Sequence, residues 1–335
     1  MAVARDLDRS APAAITETGE AWLPWRTLLL PGFLLLGFLA MPALSEALGQ
    51  GYLTSLAARI MIMAIAALGL DFILGHGALV SFGHAAFVGI GAYAIGIMAS
   101  HGLTEGLLTF PLAILAAGLF ALVTGAISLR TRGVYFIMIT LAFGQMAYFT
   151  AISLSAYGGD DGLTVASRSD LLGAPVLENH RVFYFAVLGC LVAVFLLCRL
   201  IIGSRFGRVL QAARQSRTRV QAIGFNPYAY QLAAYVISGM IAGLAGALLA
   251  NQTEFVSPAF MSWQRSGELI VMVVLGGMGS PAGAILGAIV YLGLEEFLSH
   301  YTEHWRLIFG PLLVVIVLYG RGGLAAVLPG KLGRG

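Results

Sequence analysis

Seven apolar runs, at 28–48, 54–75, 79–99, 107–128, 133–154, 182–202 and 229–250, set the first constraint on this chain. Each is long enough to cross about 30 Å of hydrocarbon at about 1.5 Å per helical residue. A backbone in lipid must satisfy its own polar groups, so such runs fold as helices. Composition agrees with this reading. The chain is 59% hydrophobic and 10% charged, whereas soluble domains carry about 25% charged residues. One domain of 335 residues cannot bury so much apolar surface and still keep a wettable exterior, so lipid is the expected solvent.

The stretch 266–299 is too long for a single crossing, and Gly276, Gly277, Gly279 and Pro281 interrupt it; a last run covers 306–320. Breaking 266–299 at the glycines gives ten segments, two of them short. Charge tests that count, because Lys and Arg favour cytoplasmic loops. Loop 129–132 carries Arg130 and Arg132, and loop 203–228 carries Arg205, Arg208, Arg214, Arg217 and Arg219, with no acid in either. Arg321, Lys331 and Arg334 make the C-terminal end basic. Asp160, Asp161, Asp170 and Glu178 outweigh Arg168 and Arg181 in 155–181, and 294–305 holds Glu295, Glu296 and Glu303. Ten crossings put every basic loop inside and every acidic loop outside; nine make the two ends disagree. The expectation is an all-α polytopic membrane protein of about ten transmembrane helices, some short or interrupted. A cytoplasmic tail 1–26 precedes the transmembrane region 27–328, a tail 329–335 follows it, and both termini are cytoplasmic. The mixed charges of the first 26 residues do not fit a signal peptide, so the first helix is expected to stay uncleaved.

Gly277-Met278-Gly279-Ser280-Pro281-Ala282 fits the G-x-G-x-x-A turn of dinucleotide-binding folds. That turn needs a soluble parallel sheet around it, and no stretch here supplies one. A tight turn between two short membrane segments is the alternative. "LDFILGHGALVSFGHAAFVGIGAY" (70–93) has a similar interruption, and paired interrupted segments in two halves of a membrane protein point to a translocation path. Small-residue pairs at Gly239 and Gly243, Ala242 and Gly246, and Gly283 and Gly287 fit close helix packing.

Ionisable residues within the apolar runs are few: Arg59, Asp71, His84, Arg199 and Glu268. Such groups face a cavity or pair with one another. Asp71 lies near the cytoplasmic end and Glu268 near the outer end, which fits a structural or vestibule role. His84, three residues after Ser81 on one helix face, suits either the path or a packing site. The candidate path residues are Ser81, His84, Glu268, Gly277 and Gly279. Cys190 and Cys198 are expected to pack as small hydrophobes. No P-loop, nucleophile–base pair or metal cluster is present in the sequence, so no enzymatic role or cofactor is expected, and no nucleic-acid partner. Any nucleotide energy would come from a partner.

In "GSRFGRVLQAARQSRTRVQAIGFNPY" (203–228), Phe206, Val209, Leu210 and Ala213 recur at helical spacing with arginines on the other side, before Gly224 and Pro227. Lying on anionic headgroups and docking into another protein are both compatible with that pattern.

Six stretches together resemble a known family: "LGLDFILGHGALVSFGHAAFVGIGAY" (68–93), "LRTRGVYFIMITLAFGQM" (129–146), "GGDDGL" (158–163), "GSRFGRVLQAARQSRTRVQAIG" (203–224), "AGLAGALLA" (242–250) and "SGELIVMVVLGGMGSPAGAILGA" (266–288). The family is the LivM-type permease subunit of bacterial ABC importers for branched-chain amino acids. The resemblance implies an inner-membrane subunit that transports branched-chain or related amino acids. It would pair with a second homologous permease, bind two ABC ATPase subunits inside and meet a periplasmic substrate-binding protein outside. It also implies that 208–224 is a coupling helix for the ATPase, with Arg205, Arg208, Gln211, Arg214, Arg217 and Gly224 as coupling residues. Asp160 and Asp161 would face the binding protein. Ala78-Leu79 stands where the family often has Gly-Gln, and some permeases of this fold for urea and short amides have an apolar residue there. Such a permease, and an ion-coupled secondary carrier, are the alternatives.

Overall fold

The computed structural model describes residues 26–301 except 166, 171 and 172, together with 304, 307–311, 313, 314, 323 and 324. The expected tails, apart from Arg26, and most of the run 306–320 lie outside the described residues.

Among the described residues the chain is all-α apart from two short paired strands. Its helices are α1 (Arg26–Ala47), α2 (Tyr52–Gly77), α3 (His84–Ser100), α4 (Gly106–Ser128), α5 (Val134–Ser153), α6 (His180–Gly203), α7 (Arg205–Gln215), α8 (Arg217–Ala222), α9 (Pro227–Thr253), α10 (Trp263–Gly276) and α11 (Pro281–Tyr301). Among the described residues, seven are long and apolar enough to cross a membrane: α1, α2, α4, α5, α6, α9 and α11. The 17-residue α3 and the 14-residue α10 are shorter; α10 extends only about 21 Å at 1.5 Å per residue.

α2 is the axle of the bundle. Its circumference is apolar all round, the signature of a helix surrounded by others. From Ala57 to Gly77 every residue but Arg59 and Met63 is buried, against α9, α11, α6 and α10. The small residues set the packing of α9. A Cβ on Gly243 would strike Ala117 of α4, a Cβ on Gly246 would strike the Val88 carbonyl of α3, and Gly91 of α3 abuts the Gly243 carbonyl. Backbones at that distance exclude any larger side chain, and the close approach replaces the hydrophobic drive that lipid does not supply. The outer helices turn Phe33, Leu36, Leu115, Leu119, Phe149 and Leu200 outward, as an exterior of hydrocarbon allows.

One segment differs from the sequence expectation. The run 79–99 does not begin as helix: α3 starts at His84, so Ser81 and His84 do not share a helix face. Ala78 caps α2 in the left-handed conformation (φ 53°). The Phe82 N–H then donates to Thr140 Oγ1 of α5 at 3.2 Å. A Cβ on Gly83 would overlap the Thr140 carbonyl. Docking on α5 therefore holds 79–83 outside regular helix. The break in 266–299 falls where the glycines predict it, with α10 ending at Gly276 and α11 beginning at Pro281.

Candidate functional site

The polar features divide between the two ends of the bundle. α7 and α8 project from one end, the arm end, where α2 and α6 finish and α9 begins. Local chemistry fixes the arm. Ser204 caps α7 by accepting from the Gly207 N–H (3.4 Å), and Ser216 caps α8 by accepting from the Arg219 N–H (3.3 Å). Gly224, at φ 93°, closes α8. Its N–H donates to the Gln221 carbonyl (2.9 Å), and the Phe225 N–H donates to that of Val220 (3.2 Å). That bond pair is the Schellman ending, which favours glycine at this position. Gly207, Leu210 and Ala213 are buried, while Arg205, Arg208, Arg214 and Arg219 are exposed and Gln211 and Arg217 half-buried. Two apolar residues stand out at the tip: Ile223 is 74% exposed and Phe225 43%. Sequence periodicity does not single them out, because they follow the helix rather than sit on its face.

Arg214 reaches back into the bundle, its guanidinium donating to the Gly75 carbonyl in the last turn of α2. Gly75 lies against the turn between α10 and α11, where a Cβ would land on the Gly279 nitrogen. The Gly279 N–H in turn donates to Asp71 Oδ1 at 2.7 Å. Arm, α2 and the 277–280 turn thus form one connected unit, and the two interrupted segments meet in it. Beside them a cleft of about 340 Å³ is lined by Arg132, Arg214 and Arg217. Burial and then the charge of Arg132 lower the pKa of Arg217.

The opposite end carries the acidic loop and a larger cavity. Leu163 and Thr164 (β1) pair antiparallel with Val256 and Phe255 (β2). Asp160 and Asp161 are exposed on the turn leading into β1. The cavity, of about 560 Å³, lies between α1, α2, α6, α9 and α10. Its lining combines the charged Glu46, Arg59, Arg168, Arg181, Arg265 and Glu268 with the apolar Met63, Val88, Leu269 and Met272. Glu268 is on its wall, paired with Arg265 at 2.7 Å. Arg59, also on the wall, pairs with Glu295 of α11 at 3.7 Å.

The five expected path residues therefore fall in three places. Gly277 and Gly279 form the turn at the arm end, and Glu268 lines the cavity at the other. Ser81 and His84 are fully buried between them, Ser81 Oγ lying 3.5 Å from the Tyr235 hydroxyl and His84 Nε2 3.5 Å from Ser238 Oγ. The Ala85 N–H donates to Ser266 Oγ at 3.0 Å, which links the start of α3 to the turn of α10 that carries Glu268. Arg265 was legible in principle from its i,i+3 spacing to Glu268. The Arg59–Glu295 pair joins helices far apart in sequence and leaves no local signal.

Residues 52–318 match the family model described as the branched-chain amino acid transport system permease component. The chain belongs to this permease family. It is 28% identical over 294 residues to the high-affinity branched-chain amino acid transport system permease protein LivM of Salmonella typhimurium, covering 80% of this chain and 69% of that one. To LivM of Escherichia coli it is 29% identical over 289 residues, 79% and 68% of the two chains. The E. coli permease protein LivH is 26% identical over 161 residues, 47% and 51% of the two chains. No solved structure matches. All six stretches that carry the sequence resemblance lie within the matched region, and the relatives are transport permeases.

Proposed function

We propose that this permease is the membrane subunit of an ATP-driven importer that carries branched-chain or related amino acids across the bacterial inner membrane. Hydrolysis takes place on two separate ATPase subunits. A second permease resembling LivH completes the membrane part, and a periplasmic binding protein delivers the cargo.

The observation that carries this reading is the built arm. A capped amphipathic helix buries its apolar face on α2, α6 and α9, and while Arg214 reaches back to Gly75, Arg205 and Arg208 stay exposed on the other side, open to a partner. In this reading the arm end is cytoplasmic, with both termini on that side, and Arg205, Arg208, Gln211, Arg214, Arg217 and the Gly224 ending meet the ATPase. Asp160 and Asp161 face the binding protein. ATP binding closes the ATPases and pushes on α7, and Arg214 passes the displacement to Gly75 and the 277–280 turn. The bundle then rocks between inward- and outward-open states. Ser81 and His84 lie in the packed layer that this motion shears, between the turn at Gly277 and Gly279 and the Glu268 cavity. Loaded binding protein biases the equilibrium only by preferring one of the states.

Reconstitution with the two ATPases, the second permease and the binding protein tests the reading. ATP-dependent leucine uptake is expected, and Arg208→Glu with Arg214→Glu should abolish it while leaving membrane insertion intact. Full coupling in that double variant would refute the docking role.

A further inference from the structure

The cleft at the arm end gathers three arginines and no carboxylate. Arg132, Arg214 and Arg217 line it, and among the described residues none of them forms an ion pair. We propose that this cleft binds the phosphate headgroup of an anionic phospholipid that enters sideways from the surrounding bilayer. The proposal needs only that the chain is embedded in lipid, so it stands apart from the transport reading.

Three separate segments bring these charges together: the link between α4 and α5, the last turn of α7 and the first turn of α8. The preference of basic residues for one side of a membrane sets how many arginines a loop carries, not where they converge. Convergence costs repulsion, and an anion between them offsets it. Arginine suits phosphate because its planar fork donates in pairs. Arg214 spends only part of its five donors on the Gly75 carbonyl. Further polar groups line the same space. The Ser216 and Thr218 hydroxyls lie 3.0 Å apart, so one donates to the other and the second keeps its own proton to donate. Gln231 of α9 is 2% exposed, yet its side-chain oxygen has no partner among the described residues. A buried polar group left unpaired is costly, so its place on the wall marks the cleft as one for a polar ligand. The amide can turn either end to a neighbour, and an anion takes the nitrogen end.

The rest of the lining chooses between a lipid and a free anion. Leu79, Val80, Phe136 and Ile137 are apolar; they offer nothing to a phosphate ion but suit the glycerol esters next to a phosphodiester. Position agrees. Arg132 lies just before the span Val134–Ser153, which sets it at headgroup depth, and Val134, Tyr135 and Met138 at the start of that span are exposed. The volume, about 340 Å³, is at the small end of the roughly 300–1,000 Å³ of ligand sites. It admits a headgroup and leaves the acyl tails in the bilayer along α5. Basic pockets between membrane helices hold anionic heads in this way. Phosphatidylcholine matches less well, because its choline brings a further cation beside the arginines. Arg205 and Arg208 are outside the lining, so a lipid here leaves them to a protein partner.

Thiol protection on the full-length chain in lipid nanodiscs tests the site without any partner. In a chain with Cys190 and Cys198 changed to alanine, Thr218→Cys places a thiol on the cleft wall, and a small uncharged maleimide reads its access. Phosphatidylglycerol discs should slow the reaction about fivefold relative to phosphatidylcholine discs, the slowing expected at four times the dissociation constant. Arg132→Gln with Arg217→Gln should remove that ratio. Arg130→Gln with Arg219→Gln takes the same charge from the arm end outside the cleft lining and should keep it. Melting of each variant in phosphatidylcholine checks that it is folded, and the comparison of the two lipids on the parent chain stands whether or not the variants fold. Equal rates in the two lipids, or slowing that survives the loss of Arg132 and Arg217, would overturn the site. Millimolar inorganic phosphate that protects in phosphatidylcholine discs as well as phosphatidylglycerol does would overturn the lipid and assign the cleft to a free anion.

Discussion

The Asp71 carboxylate accepts a hydrogen bond at 2.7 Å from the backbone N–H of Gly279, 208 positions along the chain. Asp71 is buried on α2, so the bond closes two problems together: a carboxylate within the bundle gains a donor, and a turn without regular structure gains an acceptor. It ties the axle of the bundle to the hairpin of α10 and α11.

Removing that acceptor should loosen the hairpin. Asp71→Ala leaves the half-buried Gly279 N–H without its acceptor, at a cost of about 1 kcal/mol. Its melting midpoint in detergent should fall by several degrees. Asp71→Asn keeps a side-chain oxygen and should lose less, and equal melting of all three proteins would contradict the tie.

Two neighbouring glycines of α2 should respond differently to alanine. At Gly75 the added Cβ meets the Gly279 backbone and comes within 2.8 Å of Asp71 Oδ1, contacts that cannot yield without moving the turn. Overpacking of this kind costs about 1–3 kcal/mol or more, so Gly75→Ala should reduce folded yield on size-exclusion chromatography. At Gly77 the nearest atoms are side-chain carbons of Leu79 and Leu210 at 3.5 and 3.6 Å, ordinary contact distances. Gly77→Ala should fold as well as the parent.

The arm tip predicts a separation of stability from association. Ile223 and Phe225 are exposed, and Ile223 serves the end of α8 only through its backbone N–H, which a side-chain change keeps, so the effect on stability should stay near the usual surface value of about 0.5 kcal/mol. Apolar anchors at the centre of an interface are worth about 2 kcal/mol or more. Ile223→Glu should therefore leave melting unchanged yet weaken co-purification with the ATPases roughly thirtyfold, the factor that about 2 kcal/mol gives. Undiminished co-purification would place the docking surface elsewhere.

The acidic turn predicts a kinetic effect. Exposed rim charges act on encounter more than on final affinity. Asp160→Asn with Asp161→Asn should slow association of the binding protein with the nanodisc-embedded importer, and the difference should shrink as salt is raised. Surface plasmon resonance at two ionic strengths reads both.

Much of this was legible before the fold was known, and the reason is physical. Hydrocarbon imposes long apolar runs, so the spans and the break at Gly276–Pro281 follow from local pattern. The amphipathic face of α7 is local too, as is Gly224. What was not legible depends on contact across the bundle. The non-helical start of the third run arises because Gly83 packs on Thr140 of another helix. Asp71 reads only as a charge in an apolar run until Gly279 is placed against it. Ser81 and His84 read only as polar residues in an apolar run until Tyr235 and Ser238 of α9 are placed against them. The charged cavity needs α1, α2, α6 and α10 assembled before Glu46, Arg59, Arg181 and Glu268 line one space.

The claim on which the account turns is that the arginine arm takes its drive from a separate motor on the cytoplasmic side. Labelling of Arg208→Cys with a membrane-impermeant thiol reagent tests it most directly, with Cys190 and Cys198 changed to alanine as before. The account predicts labelling in inside-out vesicles and not in intact cells, with strong suppression when the ATPase subunits are bound. Labelling from outside intact cells, or labelling that bound ATPases leave unchanged, would contradict it.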